Sequence, residues 1–334
     1  MLIIESYLWG VAACLLAMLC WGTWSNAQKL VTQDAPVAYF YRDYVFGIGL
    51  MALLLAFTAG SLGSEGRSFL EDLKQADVGK LLLAVAAGVV FNTGNRLLVV
   101  GIQLAGIAIA MPVGTGISLV LGLVVNYMAE PEGSVGLLAA GGGVVVLAMV
   151  FGALAYQAKE EEQEFNKRGL VIVLLSGLLS GFFFRMITAT LASDFAKPEA
   201  GSLTPFTAFV AFALGLLISN PLIEKGVRRF IPEEEKEDPA DVQYTTMSAR
   251  QHLYGLLGGL VWGIGMGALL LASKPAGNAI SFGLSQGATI VAVLCGLFLW
   301  KEFEGAPAVS NRWLWLMSGC YVAGIVLIVI ARTL

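Results

Sequence analysis

The chain has 334 residues, of which 57% are hydrophobic and only 13% charged, with a mean hydropathy of +0.78. A soluble domain carries about a quarter charged residues, so the composition excludes one and indicates a polytopic membrane protein. A net charge of −4 with no basic stripe excludes a nucleic-acid partner.

Cys14, Cys20, Cys295 and Cys320 sit inside apolar runs without CxxC spacing, as small core residues do. The chain has one histidine, His252, which leaves no basis for a histidine metal site or a catalytic triad. An intramembrane enzyme needs a nucleophile–base pair or a metal cluster. We therefore expect no enzyme, no metal and no cofactor.

A bilayer core needs about 20 apolar residues in a helix. Ten segments meet that requirement, near 7–28, 40–60, 79–101, 107–128, 134–155, 169–191, 204–223, 253–272, 279–299 and 313–331. The first lacks a basic leader and reads as a spanning helix rather than a cleaved signal. It ends in Trp21-Gly22-Thr23-Trp24, where aromatic faces beside polar groups suit either a flat polar ligand or an interfacial belt. Trp21 is placed with the ligand on account of its depth.

The second segment opens with Arg42-Asp43. Asp43 is the candidate for proton coupling, and an interfacial ion pair is the competing reading. Burial favours its protonated form and a neighbouring arginine the charged one.

The third segment carries Asn92, Asn95 and Arg96 in a long apolar run. Asn92 shares a helical face with both of the others. Such groups at membrane depth are costly unless they line a wet cavity or meet partners, so they are read as substrate contacts, with interhelical bonding as the alternative. The hinge from Gln103 to Gly106 predicts that the third and fourth segments pack as an antiparallel pair.

In the fourth segment, Met111-Pro112-Val113-Gly114-Thr115-Gly116 predicts a kink or an unwound turn. Thr115 and Ser118 there, with Gln286 at the matching place in the ninth, are further substrate candidates; local backbone capping is equally open for the hydroxyls. Arg185, in the sixth segment, could neutralise Asp43 or a substrate, or reach toward headgroups. The eighth carries Gly255, Gly259, Gly263 and Gly267 at every fourth position, a stripe for close helix packing or for rocking motions. It also carries Trp262, a substrate candidate that corresponds to Phe91. The polar stretches Gln157–Arg168 and Glu224–Arg250 read as solvated connectors.

The two halves resemble each other. Trp9-Gly10 through Gly22 aligns with Arg168-Gly169 through Gly181, and Ala87–Gly94 aligns with Gly258–Gly265. The second offset also pairs Ala105-Gly106 with Ala276-Gly277 and Gly116 with Gly287. An odd number of helices per half inverts the second copy. Inverted repeats mark secondary transporters, whose substrate sites lie near the midplane. The expected organisation is a first five-helix repeat at 1–155, a cytoplasmic connector at 156–168 and a second repeat at 169–334. Basic residues from Lys29 and Arg42 through Arg228, Arg229, Lys236 and Arg312 crowd one side, which should be cytoplasmic with both termini outside.

Trp21-Gly22-Thr23-Trp24, Asp43-Tyr44, Gly94-Asn95 and Asn126-Tyr127 resemble plant ureide permeases. Ala110-Met111-Pro112 with Thr115-Gly116 resembles bacterial glucose/ribose uptake proteins, and Gly94-Asn95 also resembles the rhamnose–proton symporter. All three belong to the drug/metabolite transporter superfamily. The resemblance is densest in residues 1–132, and the short central loop carries no GxxxxGK stretch and hence no sign of ATP.

It implies an all-α fold of ten transmembrane helices in two inverted five-helix repeats. It also implies a secondary-active importer of a ureide or nucleobase such as allantoin or uracil, driven by the proton gradient through alternating access. Monosaccharide uptake is the alternative, and metabolite or drug export a further one. The expected partners are a small polar solute and the lipid bilayer. No obligatory protein partner is expected, since one chain of ten helices suffices as a monomer. The expected location is the bacterial inner membrane.

Overall fold

A computed structural model describes residues 1–32, 35–159, 166–227, 229 and 243–333. Parts of both polar connectors, 160–165 in the first and 228 and 230–242 in the second, lie outside the described residues.

The first span is built from α1 (Tyr7–Thr23) and α2 (Ser25–Thr32), and the second is α3 (Val37–Phe57). A short helix, α4 (Phe69–Gln75), precedes α5 (Val78–Ala105), α6 (Ile107–Ala129), α7 (Val135–Gln157), α8 (Lys167–Thr188) and α9 (Pro205–Val227). Then follow α10 (Ala249–Ala276), the pair α11 (Asn278–Ser285) and α12 (Ala288–Phe298), and α13 (Ala308–Ile330). Ten of these stretches are long and apolar enough to cross a membrane. Their outward faces are apolar: Trp9, Leu222, Phe298 and Trp315 are each at least 70% exposed. Such surface suits lipid rather than water. The described residues contain no strand, only an isolated bridge between Leu191 and Leu203.

The expected hinge of four residues is shorter than predicted. Helix α5 runs to Ala105, and Gly106 alone turns the chain, with a φ of 76°. Gly277, its counterpart by the second offset, does the same before α11 with a φ of 89°. Both angles favour glycine, which has no Cβ to clash.

Of the expected kink or unwound turn at Pro112, the unwound turn is absent, and α6 is continuous through it. The Thr115 hydroxyl donates to the Met111 carbonyl at 2.5 Å within that stretch. The interruption lies in the ninth span instead, at Gln286 and Gly287. There the amides of Gly287 and Ile290 each bond three residues back, to Leu284 and Gly287, at 3.0 Å. Such bonds tighten a helix into a 3-10 turn.

The chain forms two compact units, Met1–Asn92 with Met186–Pro275 and Thr93–Arg185 with Ala276–Leu334. Each draws helices from both sequence halves.

In the first unit, α3 and α10 run side by side in parallel along the glycine stripe. A Cβ on Gly255 would lie 2.5 Å from the Asp43 Cβ, and one on Gly259 would lie 2.0 Å from the Tyr44 carbonyl oxygen. On Gly263 and Gly267 it would meet Met51 at 2.7 Å and Leu55 at 2.6 Å. Any side chain there would separate the helices, which is why the stripe is glycine. Gly88 and Gly215 bring α5 and α9 together in parallel by the same device, each Cβ position lying about 2 Å from a carbonyl of the other helix. The segment before α4 is pinned by Asp72, which is fully buried. Asp72 accepts from Arg67 Nε at 2.9 Å and from the Thr204 amide at 2.8 Å.

In the second unit, α7 and α13 pack antiparallel through Gly141 and Gly324, whose Cβ positions would meet each other's carbonyl oxygens at 3.0 and 2.9 Å. Gly177 and Gly181 of α8 lie against Ile117 and Leu121 of α6, both at 2.9 Å. Ser176 of α8 donates to the Gly94 carbonyl of α5 at 2.7 Å. Leu98 of α5 lies 2.9 Å from the Cβ position of Gly114, so α5 and α6 touch as neighbours.

Candidate functional site

Two features converge in the first unit. One is an aromatic cluster around Trp262 on α10. Trp21 stacks on it at 5.2 Å with 7° between planes, and its indole N–H donates to the Trp262 carbonyl at 3.2 Å. Phe91 lies at 4.9 Å, Phe212 at 6.1 Å and Tyr44 at 6.5 Å. Gly265 makes room, since a Cβ there would lie 2.7 Å from Trp21 Cδ1. Trp24 packs on Tyr44 at 4.6 Å.

Trp262 is only 3% exposed, so in this conformation it is enclosed by other rings. Trp21 gives one face to Trp262 and is half-buried. The Tyr44 hydroxyl is buried within the cluster and makes no hydrogen bond. A buried donor left unsatisfied costs about 1–3 kcal/mol, which points to a missing partner.

The other feature is the surroundings of Asp43, which is 4% exposed. Its Oδ1 accepts from the Tyr244 hydroxyl, and its Oδ2 lies 2.7 Å from Nδ1 of His252. The Arg42 guanidinium lies over the Tyr244 ring at 4.0 Å. Asp43 is therefore not in the expected ion pair with Arg42. Arg185 belongs to the second unit, where its Nη1 lies 4.0 Å from Glu130. An arginine next in sequence projects elsewhere around the helix, while His252 is brought in by the α3–α10 seam.

Asn92 also belongs to this unit and is fully buried. Its amide nitrogen donates to Ser219 Oγ at 3.0 Å and to the Leu216 carbonyl at 3.4 Å, tying α5 to α9. Its carbonyl oxygen has no hydrogen-bond partner. Asn92 is thus half interhelical tie and half open acceptor.

The remaining expected residues fall in the second unit. Asn95 is half-buried and Arg96 is 4% exposed on the continuation of α5. Thr115 spends its hydroxyl on Met111, the local capping that was the alternative for it. Ser118 is 5% exposed, and Gln286 is half-buried at the break between α11 and α12.

The same unit buries two further asparagines. Asn126, from the motif Asn126-Tyr127, and Asn278 are 0% and 1% exposed. The Asn126 oxygen and both amide atoms of Asn278 lack hydrogen-bond partners.

Sequence reasoning missed His252, Tyr244 and Asn278. Tyr244 was assigned to a solvated connector, and a 3-10 turn at Tyr244–Thr246 presents it to Asp43 instead. The signal for His252 was its place three residues before the glycine stripe, once the register of that stripe on α3 is known. Among the described residues, no group of three His, Cys, Asp or Glu could hold a metal.

Comparison with known proteins places these features in context. A glucose uptake protein of Staphylococcus xylosus is 25% identical over 322 residues, covering 95% of this chain and 94% of that protein. Ureide permeases 2 and 1 of Arabidopsis thaliana are each 25% identical over 50% and 60% of this chain. The chain spans about half the length of these plant proteins, 44% and 52%. A solved crystal structure superposes with a TM-score of 0.66 at 15% identity, covering 97% of this chain and 98% of that one, and so shares the fold. The profile of the family described as sugar transport protein matches residues 12–334. With ten helices long and apolar enough to cross a membrane and a family match over nearly its whole length, the chain is an integral membrane protein and belongs to the sugar transport protein family.

Proposed function

We propose that this protein imports a small polar ring solute by proton-coupled alternating access, with a monosaccharide as the first substrate class. The observation that carries the reading is the end-to-end alignment with a protein named for glucose uptake, 95% of one chain on 94% of the other. The aromatic cluster supports it, because rings with a few polar groups suit a sugar, whose apolar face stacks and whose hydroxyls bond. The Tyr44 hydroxyl and the Asn92 carbonyl oxygen are buried acceptors or donors with capacity to spare.

The second reading, a ureide or nucleobase, rests on Trp21 through Trp24 and on Asp43-Tyr44, which the structure gathers in one unit. In both readings Asp43 is the coupling carboxylate. The proposed setting is a bacterial inner membrane with both termini outside and a monomer as the working unit.

Thermal stability of the purified protein with glucose, ribose, allantoin and uracil tests the substrate class. A ligand bound only by the folded state adds about 2.7 kcal/mol at a hundredfold excess over Kd. Stabilisation by sugars alone is the expected result. Selective stabilisation by allantoin or uracil replaces it with the ureide reading, and no response to any of the four removes both.

A further inference from the structure

The proton-coupling reading leaves open which group carries the proton. We infer that His252, held by Asp43, is the proton-carrying residue of this transporter. The inference rests on the transport reading above and adds a residue that reading does not use.

The geometry constrains the imidazole. Asp43 Oδ1 already accepts from the Tyr244 hydroxyl, so the carboxylate acts as an acceptor, and His252 Nδ1 lies 2.7 Å from Oδ2. Nδ1 is then the N–H donor, and Nε2 is the nitrogen with a free lone pair. Asp43 has a side chain only 6% exposed, whereas that of His252 is 28% exposed and reachable for proton exchange. A proton from the acidic side binds Nε2 and gives an imidazolium facing the carboxylate. The same nitrogen releases it on the other side, and no other bond changes. Histidine is the side chain whose charge ordinarily changes between pH 5 and 8, and an adjacent buried carboxylate ties that change to conformation.

The neighbouring ionisable groups do not substitute for it. Arg42 sits over the Tyr244 ring, and Tyr39 meets the same ring edge-on at 5.9 Å. Tyr244 itself meets the imidazole edge-on at 4.8 Å. Arg250, on the helix that carries His252, donates to Tyr254 at 2.7 Å. Among the described residues, Lys29 in the last turn of α2, Glu224 and Lys225 near the end of α9, and Arg229 just beyond it are further charged groups on the neighbouring segments. Arginine and lysine stay charged across the working range, so they cannot carry the cycle.

The same two helices lead to the aromatic cluster. Tyr44 follows Asp43 on α3 and faces Trp262, which follows His252 on α10. Gly255 and Gly259 press those helices together at Asp43 and Tyr44. A change in the charge of the pair therefore acts on the helices that position the cluster.

The test uses the full chain in proteoliposomes with glucose and, separately, allantoin. Gradient-driven accumulation and counterflow exchange are measured side by side. In His252→Gln the ratio of accumulation to counterflow is expected to fall at least tenfold. An unchanged ratio, whether transport is intact or both activities decline together, makes the pair structural and overturns the inference. Wild-type protein that exchanges solute but ignores the pH gradient removes the proton-coupled reading itself.

A second measurement does not depend on the substrate. Because His252 is the only histidine, 15N-histidine labelling yields one imidazole. Its nitrogen shifts are expected to move between pH 5 and 8. Constant shifts across that range overturn the inference whichever solute is carried.

Discussion

Two buried aspartates in the same unit are held in opposite ways. Asp72 is clamped by the Arg67 guanidinium, the Gln75 amide, and the Thr204 amide and hydroxyl. Asp43 is held by a histidine and a tyrosine. Every donor on Asp72 keeps its state through the working pH range. One donor on Asp43 belongs to a residue type that changes charge within it. Burial of a carboxylate is therefore not itself the sign of a functional group. What distinguishes the two is whether a partner can let go.

The contrast can be broken from the Asp72 side first. Arg67→Met leaves a fully buried carboxylate without its cation, which costs roughly 3 kcal/mol or more. Thermal unfolding in detergent at pH 8 should show that loss, whereas an unchanged unfolding temperature would mean that the Gln75 and Thr204 donors hold Asp72 without the cation.

The seam that holds Asp43 against α10 comes next. Gly255→Ala forces a methyl to within 2.5 Å of the Asp43 Cβ and should cost about 1–3 kcal/mol. Gly143→Ala, where no atom lies within 4 Å, serves as the control. It should move stability by about 1 kcal/mol or less, toward greater stability. Equal responses would show that the stripe does not set the distance between α3 and α10.

The smallest effect belongs to Tyr244→Phe, about 1 kcal/mol or less, because water can reach the vacated position. Burial, the hydrogen bond to Asp43 and the charge of Asp43 push the Tyr244 phenol up to about 12, against the opposing charge of Arg42. The raised value means that the phenol's contribution is fully present below about pH 10 and is lost as pH rises through 12. Between pH 5 and 8 Tyr244 stays a donor. The variant should therefore unfold with the same pH dependence as the parent over that range; a changed slope would assign Tyr244 a share of the titration.

Much of this protein follows from local rules. Ten runs of apolar residues, each long enough for a bilayer, dictate ten spanning helices because unpaired backbone groups are intolerable in lipid. Glycine at every fourth residue of the eighth span announces a close helix contact, and α3 supplies it. Gly106 and Gly277 mark turns because few other residues accept a positive φ. Trp21, Asp43 and Trp262 could be singled out because polar and aromatic residues at membrane depth need a reason to be there.

Only the tertiary structure decided what those residues meet. Pro112 breaks no helix, while Gln286 and Gly287, with no proline, do, since neighbouring contacts outweigh local preference. Asp43 finds its partners about 200 positions away, at Tyr244 and His252, and not in the adjacent Arg42. A pattern of periods along one helix specifies which face is buried. It does not specify which residue of another helix arrives there, because that depends on the register between helices distant in sequence.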